Sequence, residues 1–323
     1  MTTGVLLCGH GTRHRKGLDE FERLCQLLDQ RLTELPTTYG YLEFARPIIR
    51  DGLDQLRKQG CTTVHALPAM LFAAGHVKND IPSILNAYQK DHPEMRITLA
   101  RELALTPKML AAAAARAQEA LATSSIPAEE TLLLVVGRGA SDPDANGNIA
   151  KIARMLCEGL GCGWAEVAYS GLTFPLVQPA LERLVLLPFQ QIVVVPYFLF
   201  DGVLVQRIYE QTDSVAAQHP KITFLKAPYL SFHPAVIDTF LERLAEIHTP
   251  ENSMNCQLCK YRSQIVGFED DVGRAQESHH HHVEGGGGNG HTHDHTHEHT
   301  HPPYPQANHP LGPRSLKAET RQR

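Results

Sequence analysis

The feature that most constrains the fold of this chain is an internal repeat. Residues 4–11 (GVLLCGHG) align with residues 132–139 (LLLVVGRG), an offset of 128 positions. The same offset continues without a gap and aligns Pro47 with Pro175, Leu53 with Leu181, Pro68 with Pro196, Leu71 with Leu199 and Phe72 with Phe200. A repeat of this length predicts two copies of one folding unit. We assign the first copy to residues 1–125 and the second to residues 126–250.

Each copy alternates short apolar runs with longer amphipathic ones. The first copy has predicted strands at residues 5–8, 39–44, 62–68 and 97–103, and predicted helices at residues 18–35 and 48–59. Strands that alternate with helices favour parallel sheets with helical crossovers. The predicted fold class is therefore α/β, with two tandem similar domains, each a parallel sheet flanked by helices. Each copy is long enough to build its own core.

Composition narrows the functional class. The chain has 323 residues, of which 42% are hydrophobic and 20% charged, and its net charge is −5. A net acidic chain argues against general nucleic-acid binding. The sequence has no apolar run of about 18 residues, so a membrane span is not expected. The start has no signal-peptide pattern, and the odd number of cysteines, 7, is typical of reduced thiols; both indicate the cytoplasm.

Three polar positions of the first copy change chemical class in the second. At the common offset the changes are His10 to Arg138, Glu43 to Gly171 and His76 to Leu204. Each of the three follows a predicted strand, and the carboxyl ends of parallel strands open onto one crevice where ligands bind. Two imidazoles and a carboxylate suit a divalent first-row metal. The sequence therefore predicts a metal and catalytic site in the first copy that the second copy lacks.

The alternative is that these residues are ordinary loop side chains. A single histidine in a Gly-His-Gly turn is more often a loop residue than a ligand, and a glutamate after a strand is usually solvated. The joint change of all three favours the functional interpretation. Gly9 and Gly11 occur in both copies, as Gly137 and Gly139, so we assign the turn to folding.

Basic residues cluster near the three polar positions. The candidates for binding an anionic substrate are Arg13, Arg46, Lys78 and Arg138. Basic residues at one edge of a net acidic protein would attract a polyanionic small molecule. The alternative is a set of solvated surface charges.

The chain changes character after residue 250. Residues 251–267 carry a Cys-x-x-Cys element, Cys256 and Cys259, which alone is a weak signal for a metal or redox site. We expect residues 268–323 to be disordered, because they contain few aliphatic side chains. This tail contains His279, His280, His281, His282, His291, His293, His295, His297, His299 and His301. So many imidazoles indicate a metal reservoir, and the alternative is a cloning tag.

Several motifs resemble a known family, the class II chelatases that act on sirohydrochlorin. The segments are LLCGHGTR at 6–13, LEFARP at 42–47, PAMLFAAGHVKNDIP at 68–82 and MNCQLCKYR at 254–262. The two-copy length and the last segment resemble the long-form cobaltochelatases within that family. The resemblance implies insertion of Co(II) into sirohydrochlorin during anaerobic cobalamin synthesis, by two α/β domains that face each other across a cleft. It also implies that His10 and His76 handle the metal beside the acidic Glu43, and that Cys256 and Cys259 hold an iron–sulfur cluster.

Other functions remain open at this stage. The chain could be a sirohydrochlorin ferrochelatase or nickelochelatase, because affinity order alone does not select the metal. His10 could instead be a phosphate-accepting nucleophile of a phosphatase or mutase, or the protein could store cobalt or nickel. We expect no nucleotide cofactor, because no phosphate-binding Gly-rich loop is present. The chain could act as a monomer or a homodimer.

Overall fold

A computed structural model describes residues 2–171 and 173–249. In the first copy, a π-helical turn, His76–Asp80, follows the third strand. The regular elements are β1 (Thr2–Gly9), α1 (Arg15–Asp29), β2 (Thr37–Tyr41), α2 (Ile49–Lys58), β3 (Cys61–Pro68), α3 (Ile81–Asp91), β4 (Arg96–Leu99) and α4 (Pro107–Leu121).

The second copy repeats this order after a short 3-10 turn, Ala128–Glu130. Its elements are β5 (Thr131–Gly137), α5 (Pro143–Leu160), β6 (Trp164–Tyr169), α6 (Val177–Leu184), β7 (Gln191–Pro196), α7 (Val203–Gln218), β8 (Thr223–Lys226) and α8 (Pro234–Ala245). Within the part of the chain that the structure describes, no helix combines the length and apolar character needed to span a bilayer.

The strands form two four-stranded parallel sheets, with the orders β2-β1-β3-β4 and β6-β5-β7-β8. The inner strands β1 and β5 are almost continuously apolar and buried, as expected for strands covered by helices on both faces. The predicted α/β fold with two similar parallel sheets is confirmed.

Some predicted element ends are wrong. Helix α1 ends at Asp29 rather than at residue 35. Leu32 and Leu35 keep the apolar spacing because they pack against the core from a non-helical segment. Strand β2 ends at Tyr41 rather than at residue 44. Phe44 has a φ of 65°, which is incompatible with extended backbone. The fourth strand covers Arg96–Leu99 and stops short of residue 103.

Each copy has a core cluster of its own, and a further apolar cluster contains buried residues from both copies. Helix α4 of the first copy packs against α5, α8 and β7 of the second, and α8 packs in turn against α1 and β3. Ala112, Ala113 and Ala117 on the buried face of α4 have no exposed surface. Such small side chains let the other copy approach closely, so each copy completes the core of the other.

The cysteines of the described residues are free thiols. Cys8, Cys25, Cys61 and Cys162 are buried, as expected for small hydrophobic side chains, whereas Cys157 is partly exposed. Burial raises the pKa of Cys8 to about 12, so its thiol remains protonated and unreactive near neutral pH.

Candidate metal centre

Three side chains converge at the carboxyl ends of the first sheet. His10 follows β1, Glu43 follows β2 and His76 opens the turn after β3. One ligand atom from each residue lies within 4.8 Å of the others. The Glu43 carboxylate is 8% exposed, so the expectation of a solvated strand-end glutamate does not apply. Imidazole and carboxylate are donor types that suit a divalent first-row ion, and the three residues lie close enough together that they could hold one ion.

The hydrogen bonds of His10 define which ring nitrogen faces the cluster. Its Nδ1 lies 2.7 Å from the Gly11 carbonyl oxygen. Because a carbonyl can only accept, Nδ1 carries a proton and donates it. Nε2 lies 3.2 Å from Oε1 of Glu43. In the neutral ring this nitrogen presents a lone pair towards the carboxylate, an arrangement that a bound cation or proton stabilises.

Nδ1 of His76 contacts a carboxylate, whereas Nδ1 of His10 contacts a backbone carbonyl. Nδ1 of His76 lies 2.9 Å from Oδ2 of Asp80, and the His76 ring meets that of His10 edge-on, with the centroids 4.6 Å apart. A carboxylate behind an imidazole fixes its tautomer and orientation for metal binding. The sequence analysis missed Asp80. The spacing of four residues from His76 was the available signal, because such a spacing places two side chains on one face of a helical turn.

The turn that carries His10 requires a glycine at its end. Gly11 has a φ of +88°, and a Cβ atom there would lie 1.8 Å from the carbonyl oxygen of Glu43. Gly139 repeats this backbone in the second copy with a φ of +84°. Both copies therefore keep the turn, as the sequence analysis proposed, although only the first carries a histidine in it.

The second copy has replaced the ligands by residues that serve other purposes. A Cβ atom at Gly171 would lie 2.4 Å from the carbonyl oxygen of Arg138, so a glutamate there would force the backbone to shift. Leu204, at the place of His76, uses its carbonyl oxygen to accept a hydrogen bond from Oγ of Ser170 at 2.9 Å. None of the three second-copy residues offers the imidazole or carboxylate of its first-copy counterpart.

A cleft between the two copies opens beside the three side chains. It has a volume of about 260 Å³ and is lined by His10, residues 69–72, 74, 76 and 77, residues 138–140, 145, 146 and 149, and residues 197–200. Most of this lining is apolar, and both copies contribute to it. The apolar walls suit contact with the apolar part of a ligand, and His10, His76 and Arg138 supply polar anchors.

The predicted cations occupy different environments. Arg138 lines the cleft, and its side chain is exposed there. The surrounding protein nevertheless lowers the pKa of its guanidinium, and the charge of Glu43 acts in the opposite direction. The guanidinium of Arg13 lies 5.3 Å from the centre of the Phe44 ring, next to the cluster.

The other two cations form ion pairs. Arg46 lies 3.2 Å from Asp51, with 63% of its side chain exposed. Lys78 forms a buried ion pair with Asp142 of the second copy. The side chain of Lys78 is only 4% exposed, so the interpretation of Lys78 as an open rim cation needs correction: its ammonium connects the two copies. Cys256, Cys259 and the histidine tail lie outside the described residues.

The described fold and site define a class: a two-copy α/β protein with a cluster of two histidines and a glutamate that could hold a metal ion, beside a cleft between the copies. The CbiX family model matches residues 4–120 and again residues 132–247. The chain therefore belongs to the CbiX family.

Individual relatives agree with this membership. The chain is 35% identical over 262 residues to the sirohydrochlorin cobaltochelatase of Priestia megaterium, covering 81% of this chain and 85% of that protein. It is 26% identical over 246 residues to the sirohydrochlorin ferrochelatase of Bacillus subtilis, covering 76% of this chain and 92% of the relative. The structure of SirB from Bacillus subtilis with Fe3+ superposes with a TM-score of 0.69 at 25% identity, over 78% of this chain and 97% of SirB.

Proposed function

We propose that this protein is a sirohydrochlorin chelatase that inserts Co(II), with His10, Glu43 and His76 receiving the metal before transfer. The observation that carries the proposal is the convergence of three ligand atoms within 4.8 Å at a cleft lined by both copies. The choice of cobalt rests on similarity. The cobaltochelatase relative is 35% identical, whereas two ferrochelatase relatives are 26% and 28% identical.

The chemistry of insertion fits these residues. Metal insertion replaces two pyrrole N–H protons by one divalent ion, so the site must release a cation and take up protons. Imidazole and carboxylate groups can do both, since each binds a metal when deprotonated and accepts a proton otherwise. Three protein ligands also leave coordination positions open, through which macrocycle nitrogens can reach the metal.

The cleft supports binding of the macrocycle. Its apolar walls can pack against a flat ring, and Arg138 can pair with one of the peripheral carboxylates. Arg13 and Arg46 would attract the same carboxylates as the macrocycle approaches the cleft. Lys78 does not belong to this group, because its ammonium is buried against Asp142.

The first test is an absorbance assay with sirohydrochlorin and Co(II). We expect His10→Ala and His76→Ala each to reduce the rate by orders of magnitude, and Glu43→Gln to reduce it as well. His92→Ala is the matched control, because this histidine packs against Tyr88 on α3 and lies outside the cleft lining. Full activity of His10→Ala and His76→Ala would contradict the proposal.

The same assay separates the alternatives. Fe(II) and Ni(II) in place of Co(II) test the ferrochelatase and nickelochelatase functions. A phosphatase or mutase would form an acid-labile phosphohistidine at His10 and would need no metal. A storage protein would bind cobalt without changing the spectrum of sirohydrochlorin.

For the histidine tail we propose a metal reservoir that supplies the cleft. The supporting observation is the alternating pattern of histidines between residues 291 and 301, since neutral imidazoles at this density bind Co(II) or Ni(II). Deletion of residues 285–301 should leave turnover at saturating cobalt unchanged and reduce it when cobalt is scarce. Loss of turnover at high cobalt would contradict the reservoir.

Three further expectations stay predictions. An iron–sulfur cluster at Cys256 and Cys259 predicts iron and acid-labile sulfide in anaerobically purified protein, both lost on Cys256→Ser.

A cytoplasmic location predicts recovery in the soluble cytoplasmic fraction after cell fractionation. Monomer and homodimer are distinguished by sedimentation.

A further inference from the structure

The π-helical turn His76–Asp80 contains a side chain whose role the metal ligands do not explain. Asp80 is 9% exposed, and burial of a carboxylate is unfavourable unless the site stabilises its charge. Its Oδ2 lies 2.9 Å from Nδ1 of His76, and its Oδ1 accepts a hydrogen bond from Nδ2 of Asn79 at 3.0 Å. The π-helical turn continues directly into α3, so Asp80 is held within a continuous helical segment.

His76 and Asp80 lie four residues apart in a helical turn, which places both side chains on one face. The backbone N–H of Ile81 donates to the carbonyl oxygen of His76, five residues back, which closes a π-type ring. Such turns often occur at functional sites. In this turn the imidazole of His76 contacts the Asp80 carboxylate and also the ring of His10.

The repeat provides an independent observation. At the offset that replaces His76 by Leu204, Asp80 is replaced by Ile208, a fully buried apolar residue. The second copy builds the same sheet without an acid at this position. The carboxylate is therefore absent from the copy in which the histidine is absent.

The two histidines also differ in the group that contacts the Nδ1 atom of each ring. Nδ1 of His10 donates to a neutral backbone carbonyl, whereas Nδ1 of His76 faces a carboxylate. A carboxylate partner makes the opposite ring nitrogen a stronger metal ligand and prevents the ring from adopting the other tautomer. His76 should therefore hold the incoming ion more firmly than His10 does.

We propose that Asp80 is a positioning residue that directs Nε2 of His76 towards the metal and strengthens this ligand. The proposal rests on the proposed function of the His10–Glu43–His76 cluster. Asp80 is not one of the three clustered ligand residues. Removal of its carboxylate should reduce metal affinity by about 10–100-fold and raise KM for Co(II) more than it lowers kcat.

The test titrates Co(II) into the protein without residues 279–301, which removes the ten reservoir histidines, and follows the visible absorption of bound cobalt. We expect Asp80→Ala to raise the Kd for Co(II) about 10–100-fold and to change the absorption bands. Asp80→Asn should have a smaller effect, because it keeps a hydrogen-bond acceptor. Asp54→Asn is the matched control, since Asp54 accepts a hydrogen bond from Tyr88 at 2.7 Å away from the cleft, and it should bind cobalt as the parent does.

Two outcomes overturn different statements. If the parent protein binds Co(II) and converts sirohydrochlorin, and folded Asp80→Ala or Asp80→Asn does so with the same Kd and KM, Asp80 has no positioning role. If the parent neither binds Co(II) through His76 nor converts sirohydrochlorin, the proposed function itself fails. Circular dichroism identifies variants that have not folded, and Asp80→Asn, which is nearly isosteric, then decides the question.

Discussion

Lys78 and Asp142 form a buried ion pair that joins the two copies beside the cleft. Their side chains are 4% and 9% exposed. Lys78 lies two residues after His76, and Asp142 accepts a hydrogen bond from the backbone N–H of Asp144 at 3.0 Å at the start of α5. The pair therefore connects the segment that carries a metal ligand to a helix of the other copy.

We expect Lys78→Met to destabilise the protein by about 3–5 kcal/mol, because it leaves a carboxylate buried without its cation. The double variant Lys78→Met/Asp142→Asn should recover much of this loss, since the amide side chain is uncharged and can still cap α5. Denaturant unfolding measures both effects. Equal stabilities of the single variant and the wild type would show that the ion pair does not hold the copies together.

Gly11→Ala should reduce both stability and activity. The added Cβ would lie 1.8 Å from the carbonyl oxygen of Glu43 and would displace the residue that carries the carboxylate. Gly60→Ala is a matched control, because Gly60 has a similar φ of +81° but no atom within 4 Å of the added Cβ. It should cost about 1 kcal/mol from backbone strain with full chelatase activity. Equal activities of the two variants would contradict the steric argument.

Arg138→Gln should raise KM for sirohydrochlorin by about 10-fold or more, the effect of losing a charge-assisted hydrogen bond. KM for Co(II) should change less, because Arg138 is not a metal ligand. Arg138→Lys keeps the charge but not the planar fork and should be intermediate. Steady-state kinetics with each substrate varied in turn measures the split. An unchanged KM for sirohydrochlorin would remove Arg138 from substrate binding.

Because the His65 side chain is buried, we expect the protein to lose stability in mild acid. The His65 side chain contacts the ring of His248, with centroids 5.0 Å apart, and its pKa is lowered, first by burial and then by His248. The unfolded chain, in which the histidine pKa is about 6.5, therefore binds more protons, so the free energy of unfolding falls as the pH drops below about 7.

Unfolding titrations between about pH 7 and 5 measure this slope. His65→Gln should reduce it, because glutamine does not titrate. His248→Gln should reduce it less, because burial of His65 is the larger cause. A slope in His65→Gln identical to that of the wild type would assign the acid sensitivity to other groups.

The sequence by itself determined the two-copy α/β architecture and the edge at which the polar residues gather. Hydrophobic periodicity reports which residues are buried, and parallel strands necessarily end at one edge. His10 and Glu43 could therefore be placed near each other from their positions after β1 and β2. The same periodicity made the predicted helix run past Asp29, where α1 ends, because a residue can be buried without being helical.

Only the tertiary structure decided the contacts between residues of distant sequence position. The way one copy packs against the other determines three features: the packing of α4 and α8 across the copies, the Lys78–Asp142 ion pair and the position of Arg138 in the cleft. No local pattern records that packing, because an apolar helix face or a lysine is compatible with many partners. Asp80 lies between these cases: its spacing from His76 is local, but its burial and its hydrogen bond to the imidazole arise only in the folded π-helical turn.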